Sequence, residues 1–591
     1  MSAEEAWAAA PFALPEAPPP LPPCPFTPTF PAMLRHIAAA YQDLEAIVRG
    51  AQRLTYRQLE RRSAVLAKGL IACGLGKGSR VAVLMPSGPD FVVALAAASR
   101  IGALVTPLST LYQAPELRWV LNHADIGVLL TADRYMSHDY LAKLETAFPT
   151  LAGQSADALY LPEAPALRRI FTWGDANRRW ARDGVTALSA AGVAVPGIDE
   201  AFLAAVEANV TPADPFCTIY TSGSTADPKG VVHNHGPIIR HTFGISHVYY
   251  PFAPGERLVG ARAWFWVAGL SSGLIGSLQA GLCTILPEGD SGEEGAELAL
   301  RENATLFGFS HDYFARVTAA LQARGEDAEV ISMMFGLGAL ARRGPDGAMR
   351  YVRDWLEARA PARFLPPPAR RLPNFLGMTE TLGGHSVEGW PTVMPADMAG
   401  VTGRAVFGLE RRIVDPETGR TLPAGQTGEL AVRGPALMAG FHKKERSEVF
   451  EPDGFYRTGD ECSIDAQDFL TIHGRLADVV KISGANVSPL EVERAILALD
   501  GVQSAVAMGL DRRGRKTLLA AAVVRAPDSR IGEADIVAAL KSQLSSFKVP
   551  KRIVFMAREE IPMTATGKVR KLDLAPLLIA RLEAEEDVGA P

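Results

Sequence analysis

Cysteine is scarce in this chain of 591 residues: there are five. Cys24, Cys73, Cys217, Cys283 and Cys462 are scattered, odd in number and form no C-x-x-C pair. They indicate neither a disulfide framework nor a zinc site, and a reducing, cytoplasmic location is expected. A strong charge of one sign is also missing. The formal net charge of −5 gives no global attraction to nucleic acid or anionic membranes, so neither is expected as a partner. The opening Met1-Ser2-Ala3-Glu4-Glu5 is acidic and lacks a basic region before a continuous apolar core, so no signal peptide is expected. No internal repeat is present. Charge is wholly absent over residues 264–287, a run long enough to cross a bilayer, with Gly269 and Gly273 spaced G-x-x-x-G. The run also holds Ser271, Ser272, Ser277, Gln279, Thr284 and four glycines. It therefore reads as a buried helix leading into a strand over 283–286, and no integral membrane segment is expected.

What is present is an ordinary globular composition, 48% hydrophobic and 21% charged, in a chain long enough for several domains. A proline-rich lead-in occupies residues 1–31, with the prolines concentrated over 15–31. An alternating pattern follows: a helix over 59–70, a buried strand over 80–85, an apolar helix over 90–101 and a short strand over 127–130. Such alternation predicts stacked, largely parallel sheets with helices on their faces. From about residue 400 to 475 short strands and turns predict an antiparallel meander or small β-barrel. Beyond it a smaller α/β unit, 476–591, is expected, with helices over 491–499 and 536–544 and strands over 504–509 and 518–524.

Chemistry concentrates first at Tyr220-Thr221-Ser222-Gly223-Ser224-Thr225-Ala226-Asp227-Pro228-Lys229-Gly230. Hydroxyls and backbone N–H groups of such a loop can wrap phosphate oxygens while a lysine adds a point charge. It is not a Walker A loop, because glycine rather than serine or threonine follows Lys229. Apolar residues 216–219 and Val231-Val232 read as strands entering and leaving the loop. Four further stretches stand out: Asn374-Phe375-Leu376-Gly377-Met378-Thr379-Glu380, Tyr456-Arg457-Thr458-Gly459-Asp460, Asp478-Val479-Val480-Lys481-Ile482-Ser483-Gly484, and Pro562-Met563-Thr564-Ala565-Thr566-Gly567-Lys568.

Together, in this order, these motifs resemble the acyl-adenylate-forming superfamily, which includes acyl-CoA synthetases, amino-acid-activating domains and firefly luciferase. The resemblance covers residues 32 to 577. It implies an α/β fold: a large N-terminal domain over 32–475, made of stacked α/β sheets plus a small β-barrel, and a smaller mobile α/β C-terminal domain over 476–591. It also implies ATP, Mg²⁺ and coenzyme A as cofactor and co-substrates. Thr221, Ser222, Gly223, Ser224, Thr225 and Lys229 would hold phosphate. Gly338, Ala339, Asn374, Leu376, Gly377 and Met378 would border the nucleotide. Thr379 would donate to the α-phosphate and Glu380 would hold Mg²⁺. Asp460, as an acceptor-only carboxylate, would take both ribose hydroxyls, with Arg475 nearby. Lys568 would be the adenylation lysine, and Lys481 and Gly484 would face the pantetheine arm. His235, Trp266, Gly269, Gly336 and Gly383 would line the acyl pocket. His385 reads as a structural histidine more readily than as a pocket contact. Three positions depart from the family pattern: Ala226 replaces a glycine, Leu376 an aromatic, and Ala477 the usual hinge aspartate or lysine.

No acidic residue lies between Glu256 and Glu288 to pair with an α-ammonium, which disfavours an amino-acid substrate. The expected reaction is therefore acyl-AMP and then acyl-CoA formation from a hydrophobic acid. A medium- or long-chain fatty acid is favoured, with an aryl or alicyclic acid next. Transfer to a carrier-protein thiol, a catalytically silent binding protein and an oxygenase are the other readings. A homodimer is compatible with the resemblance.

Overall fold

The computed structural model describes residues 20–588 except 222–227, 250–251, 261, 290, 305, 309–310, 326–336, 340–341, 344–348, 351–374, 388–401, 477–479, 483–484, 511–516, 545–547 and 564–568. Two compact units partition the chain: 1–410 with 433–454, and 411–432 with 455–591. The expected boundary at 475/476 is not where they divide. Strands over 411–432 and 455–475 count with the C-terminal residues.

The first unit holds two large sheets. One has eight strands in the order Gly440–Phe441, Lys229–Asn234, Pro215–Thr221, Leu104–Pro107, Arg80–Leu84, Val128–Ala132, Arg169–Trp173, Arg182–Asp183. Its centre is parallel, as the β/α alternation requires, and the two pairings beyond Pro215–Thr221 are antiparallel. The other sheet has six strands: Leu337–Ala339, Leu306–Gly308, Arg257–Gly260, Cys283–Leu286, Glu45–Arg49, Gln52–Thr55.

Between them runs the helix Pro89–Arg100, which touches strands of both sheets. Position explains composition here. A helix with sheets on two sides has no solvent face, and ten of its residues after Asp90 are buried. Pro89 at its first turn, Asp90 beside it and Arg100 in its last turn suit the helix ends. Arg100 is buried with the rest, so its charge must be matched. Glu207, also buried, receives its Nε; Glu60 lies 2.9 Å from Nη2 and Ser63 Oγ 3.1 Å from Nη1. Arg35 reaches the other oxygen of Glu207 at 2.9 Å.

Residues 264–287, the uncharged run, fold as a π-helix over Gly269–Gly276, a turn of α-helix over Ser277–Gln279 and the strand Cys283–Leu286. Among the described residues no helix is long and apolar enough to cross a membrane. All five cysteines are free thiols, and burial pushes that of Cys283 up to about 12.

In the second unit the meander is a four-stranded sheet: Glu410–Val414, Gly428–Arg433, Tyr456–Ile464, Leu470–Arg475. Beyond it lie three strands, with Val502–Leu510 antiparallel and Arg552–Phe555 parallel to the central Leu518–Arg525. That central strand is buried on both faces. Leu519, Ala521 and Val523 join one core with Val492, Ile496, Ile536 and Leu540 of the helices Pro489–Leu497 and Glu533–Gln543. Ala520, Ala522 and Val524 join another with Leu574, Leu578 and Leu582, spaced four apart on the helix Lys571–Val588.

Candidate active site

The phosphate-loop motif is suspended between two antiparallel strands. Thr221 pairs with Lys229 and Tyr220 with Gly230, so the ladder closes directly below residues 222–227. Ser222, Gly223, Ser224 and Thr225 lie outside the described residues. Lys229 Nζ stands 5.7 Å from the centre of the Phe441 ring. Beneath the loop Tyr220 Oη is 2.7 Å from His123 Nδ1, and Trp119 stacks on the His123 ring at 4.5 Å.

The second motif is a tight hairpin. Phe375–Met378 and Gly383–Val387 are antiparallel, joined by a 3₁₀ turn over Thr379–Thr381 and by Leu382 at φ 60°. Gly377 is demanded by this crossing: a Cβ there would sit 1.8 Å from the Gly383 carbonyl oxygen. The turn is tied to the phosphate-loop strand. His233 Nε2 donates to the Thr379 carbonyl at 2.8 Å, Met438 N donates to the Glu380 carbonyl at 2.7 Å, and Ala439 N donates to the Val232 carbonyl at 2.8 Å. His233 is fully buried, and burial holds its pKa down at about 3, so the ring is neutral and the hydrogen resides on Nε2. Sequence reasoning missed His233. Its signal was a histidine on the inward side of the strand leaving the loop.

A cavity of about 520 Å³ opens beside this hairpin. Gly377, Leu382, Gly383 and Gly384 form one wall, and the helical segment 241–246 and the π-helix Gly269–Gly276 form others. The segment Ile245–Tyr249 is π-helical too, and such expanded turns recur at functional sites. Trp264 is set on the wall by its backbone N–H, which donates to Ser87 Oγ at 3.0 Å, and by its ring, 5.6 Å from Phe91 of the buried helix. Phe375 faces the cavity and meets Tyr249 edge-on at 5.4 Å. The polar lining includes Arg262, His241 and several hydroxyls and, among the described residues, no aspartate or glutamate.

The expected pocket residues separate. Gly383 lines the cavity. Trp266 and Gly269 adjoin lining residues in the chain but are not on its wall: Trp266 packs on Phe265 at 4.8 Å, and Gly269 lies against the Ala263 carbonyl, 2.0 Å from where a Cβ would be. His235 is away from the wall. It is fully buried, and its Nδ1 accepts from Phe30 N at 3.2 Å, anchoring the start of the helix Phe30–Tyr41. His385 is a buried contact of Ser386 Oγ at 2.9 Å. Gly336 and Asn374 lie outside the described residues. Gly338 and Ala339 pair with Phe307 and Leu306 at the edge of the six-stranded sheet. Leu376 and Met378 are strand residues of the hairpin.

In the second unit Asp460 and Arg475 are cross-strand partners, with Arg475 Nε 2.8 Å from Asp460 Oδ1 and Nη1 donating to the Thr458 carbonyl at 3.0 Å. The Tyr-Arg-Thr-Gly-Asp motif is therefore part of a strand. Glu429 fixes it, binding Arg457 and accepting from Gly459 N at 3.0 Å. Lys481 pairs with Asn486, and Ile482 with Ala485, in an antiparallel hairpin; Ser483 lies outside the described residues. Gly484, Ala477 and Lys568 lie outside the described residues. The segment carrying Lys568 is closed by a bridge between Met563 and Val569 and by Arg570 N donating to the Pro562 carbonyl at 2.8 Å.

For Mg²⁺, the expected ligand is Glu380, whose carboxylate offers hard oxygens. Among the described residues no cluster of three or more His, Cys, Asp or Glu could hold an ion alone. A single carboxylate shared with nucleotide phosphates is an arrangement Mg²⁺ takes, so Glu380 fits it.

A doubly layered α/β unit, in which the strand leaving a hydroxyl-rich sequence is tied to a Thr-Glu turn beside a cavity, suits a nucleotide-handling enzyme class. The chain belongs to the AMP-binding enzyme family: its signature matches residues 34–442, and that of the AMP-binding enzyme C-terminal domain matches 491–568. Among its relatives are feruloyl-CoA synthase of Amycolatopsis sp, 29% identical over 536 residues covering 89% of this chain and 94% of the relative. Another is the mitochondrial medium-chain acyl-CoA ligase ACSF2 of Mus musculus, 27% identical over 557 residues, covering 91% and 85%. The fold matches the anthranilate CoA ligase AuaEII in complex with anthranoyl-AMP, with TM-score 0.71, 21% identity and coverage of 94% and 99%.

Proposed function

We propose that the chain is an AMP-forming acid–thiol ligase. A carboxylate oxygen bonds to the α-phosphorus of ATP as pyrophosphate leaves; the thiol sulfur of coenzyme A then takes the acyl carbon as AMP leaves. The observation that carries this reading is His233, which holds the Thr379–Glu380 turn against the strand that closes the phosphate loop.

Each residue acts through its chemistry. Thr221, Ser222, Gly223, Ser224, Thr225 and Lys229 cradle the phosphates, and Thr379 donates to the α-phosphate. Glu380 holds Mg²⁺, which when bound offsets phosphate charge. Asp460 accepts from the ribose, with Arg475 orienting it. Lys568 steadies the attacking carboxylate, where negative charge crowds the transition state. Lys481 and Gly484 belong to the thiol half-reaction. Pyrophosphate exchange tests the division: Lys568→Ala abolishes acid-dependent ATP–pyrophosphate exchange and spares thiolation of supplied acyl-AMP. Equal loss of both overturns it.

Within this reading the acid is aromatic, reversing the order expected from sequence. Trp264 and Phe375 offer flat apolar surface alongside Ile245, Phe252, Leu258, Val267 and Leu382, and Arg262, His241 and the serine hydroxyls set polar groups among them. An alkyl chain laid against polar groups forfeits part of the roughly 25 cal/mol per Å² that apolar burial supplies. The feruloyl-CoA relative agrees; the medium-chain relative marks the alternative to exclude. Pyrophosphate release and CoA-thioester formation across fatty, aryl and alicyclic acids decide it, with kcat/KM highest for an aryl acid. A saturated fatty acid outrunning every aryl acid overturns this assignment.

A further inference from the structure

The other buried histidines of this unit have partners. His233 donates to Thr379, His235 accepts from Phe30 and His385 meets Ser386. His241 differs. It lies on the helix His235–Gly244, is 5% exposed and lines the cavity, yet its ring makes no hydrogen bond among the described residues. Its ring nitrogens open on the cavity rather than being sealed from solvent, so a ligand that displaces water there must offer them a hydrogen-bonding group.

The wall narrows the kind of group. Four hydroxyls beside the cavity already give their hydrogens to backbone carbonyls: Thr242 to Ile238 at 2.7 Å, Ser246 to Phe243 at 3.3 Å, Ser271 to Val267 at 2.6 Å and Ser272 to Ala268 at 3.1 Å. Toward a ligand they are acceptors. Burial keeps the His241 imidazole neutral, its pKa lowered to about 4, so it presents one donor and one acceptor. The neutral ring itself supplies no charge to a ligand, and among the described residues the lining holds no Asp or Glu to pair with an ammonium group. A hydroxyl both donates and accepts, and fits.

We propose that His241 is a specificity-determining residue of the cavity, hydrogen-bonding a hydroxyl carried on the ring of the aromatic acid. This rests on the aryl-acid reading above. The probes are matched pairs: benzoate with 3- and 4-hydroxybenzoate, and cinnamate with 4-hydroxycinnamate, assayed by pyrophosphate release. The wild-type chain favours one hydroxylated member over its parent by roughly tenfold or more in kcat/KM, the scale of one hydrogen bond with its desolvation. His241→Leu removes that preference by lowering kcat/KM for the hydroxylated member more than for its parent, and His241→Gln restores part of it. If the wild type adenylates no aromatic acid, the aryl-acid reading falls and this inference with it. If aromatic acids are adenylated but His241→Leu lowers both members of a pair alike, or leaves the preference intact, the inference alone is overturned.

Discussion

Replacing His233 by leucine breaks the tie between the two nucleotide motifs at a single atom. The ring is fully buried and its Nε2–H donates to the Thr379 carbonyl at 2.8 Å. Leucine fills similar space and leaves that carbonyl bare, a loss of about 1–3 kcal/mol. If the loss falls on the adenylation transition state, it is about 5- to 150-fold in kcat/KM. The assay is pyrophosphate release with MgATP and acid varied separately, alongside urea unfolding of the same variant. The expected result is a fall in kcat/KM for MgATP within that range with the KM for coenzyme A unmoved. His233→Gln, whose amide can still donate, recovers part. Because burial holds the His233 pKa at about 3, the wild-type rate carries no inflection from this ring above pH 5. A leucine variant that is less stable but keeps kcat/KM for MgATP within about twofold refutes the tie as a catalytic device.

Three more predictions concern stability and packing. His233, His235 and His241 have pKa values pushed by burial from 6.5 down to about 3, 4 and 4, so the unfolded chain takes up their protons first. Stability is therefore full above pH 6.5 and falls as pH drops toward those values, by about 1.4 kcal/mol per pH unit for each histidine once its unfolded form is charged. Urea midpoints at successive pH values measure the slope, His241→Phe lessens it, and a midpoint that rises on acidification contradicts the reasoning. Gly377→Ala drives a methyl to within 1.8 Å of the Gly383 oxygen, so the hairpin opens and pyrophosphate exchange is lost; retention of wild-type exchange rates sinks that account. Glu207→Ala strands the buried Arg100 and costs about 3–5 kcal/mol in chemical denaturation, whereas a cost below about 1 kcal/mol means that Glu60 and Ser63 suffice.

Regular elements were legible wherever one face or a whole run was apolar. The strand expected over 283–286 is Cys283–Leu286, the apolar helix expected over 90–101 is Pro89–Arg100, and the helix over 491–499 is Pro489–Leu497. The π-helix Gly269–Gly276 was not legible, because an apolar run of this length does not distinguish a widened turn from an α-helical one. The pentapeptide ending in Asp460 carries turn residues yet runs as strand, its backbone conformation set by cross-strand pairing with Arg475 and by Glu429. Motif order marked the Thr379–Glu380 turn and Gly383. The cavity wall escaped, because segments from residue 241 to residue 384 converge on it through sheet topology that no local pattern records.

The central strand of the small unit has a consequence for how its length can vary. Along Leu518–Arg525 neighbouring side chains serve different interiors, odd numbers under one pair of helices and even numbers under a single long one. Removing one residue would send every leucine, alanine and valine beyond the cut to the opposite interior. Exchange of residue type is therefore tolerable in this strand while an insertion or deletion is not, and both interiors would be lost in the same event.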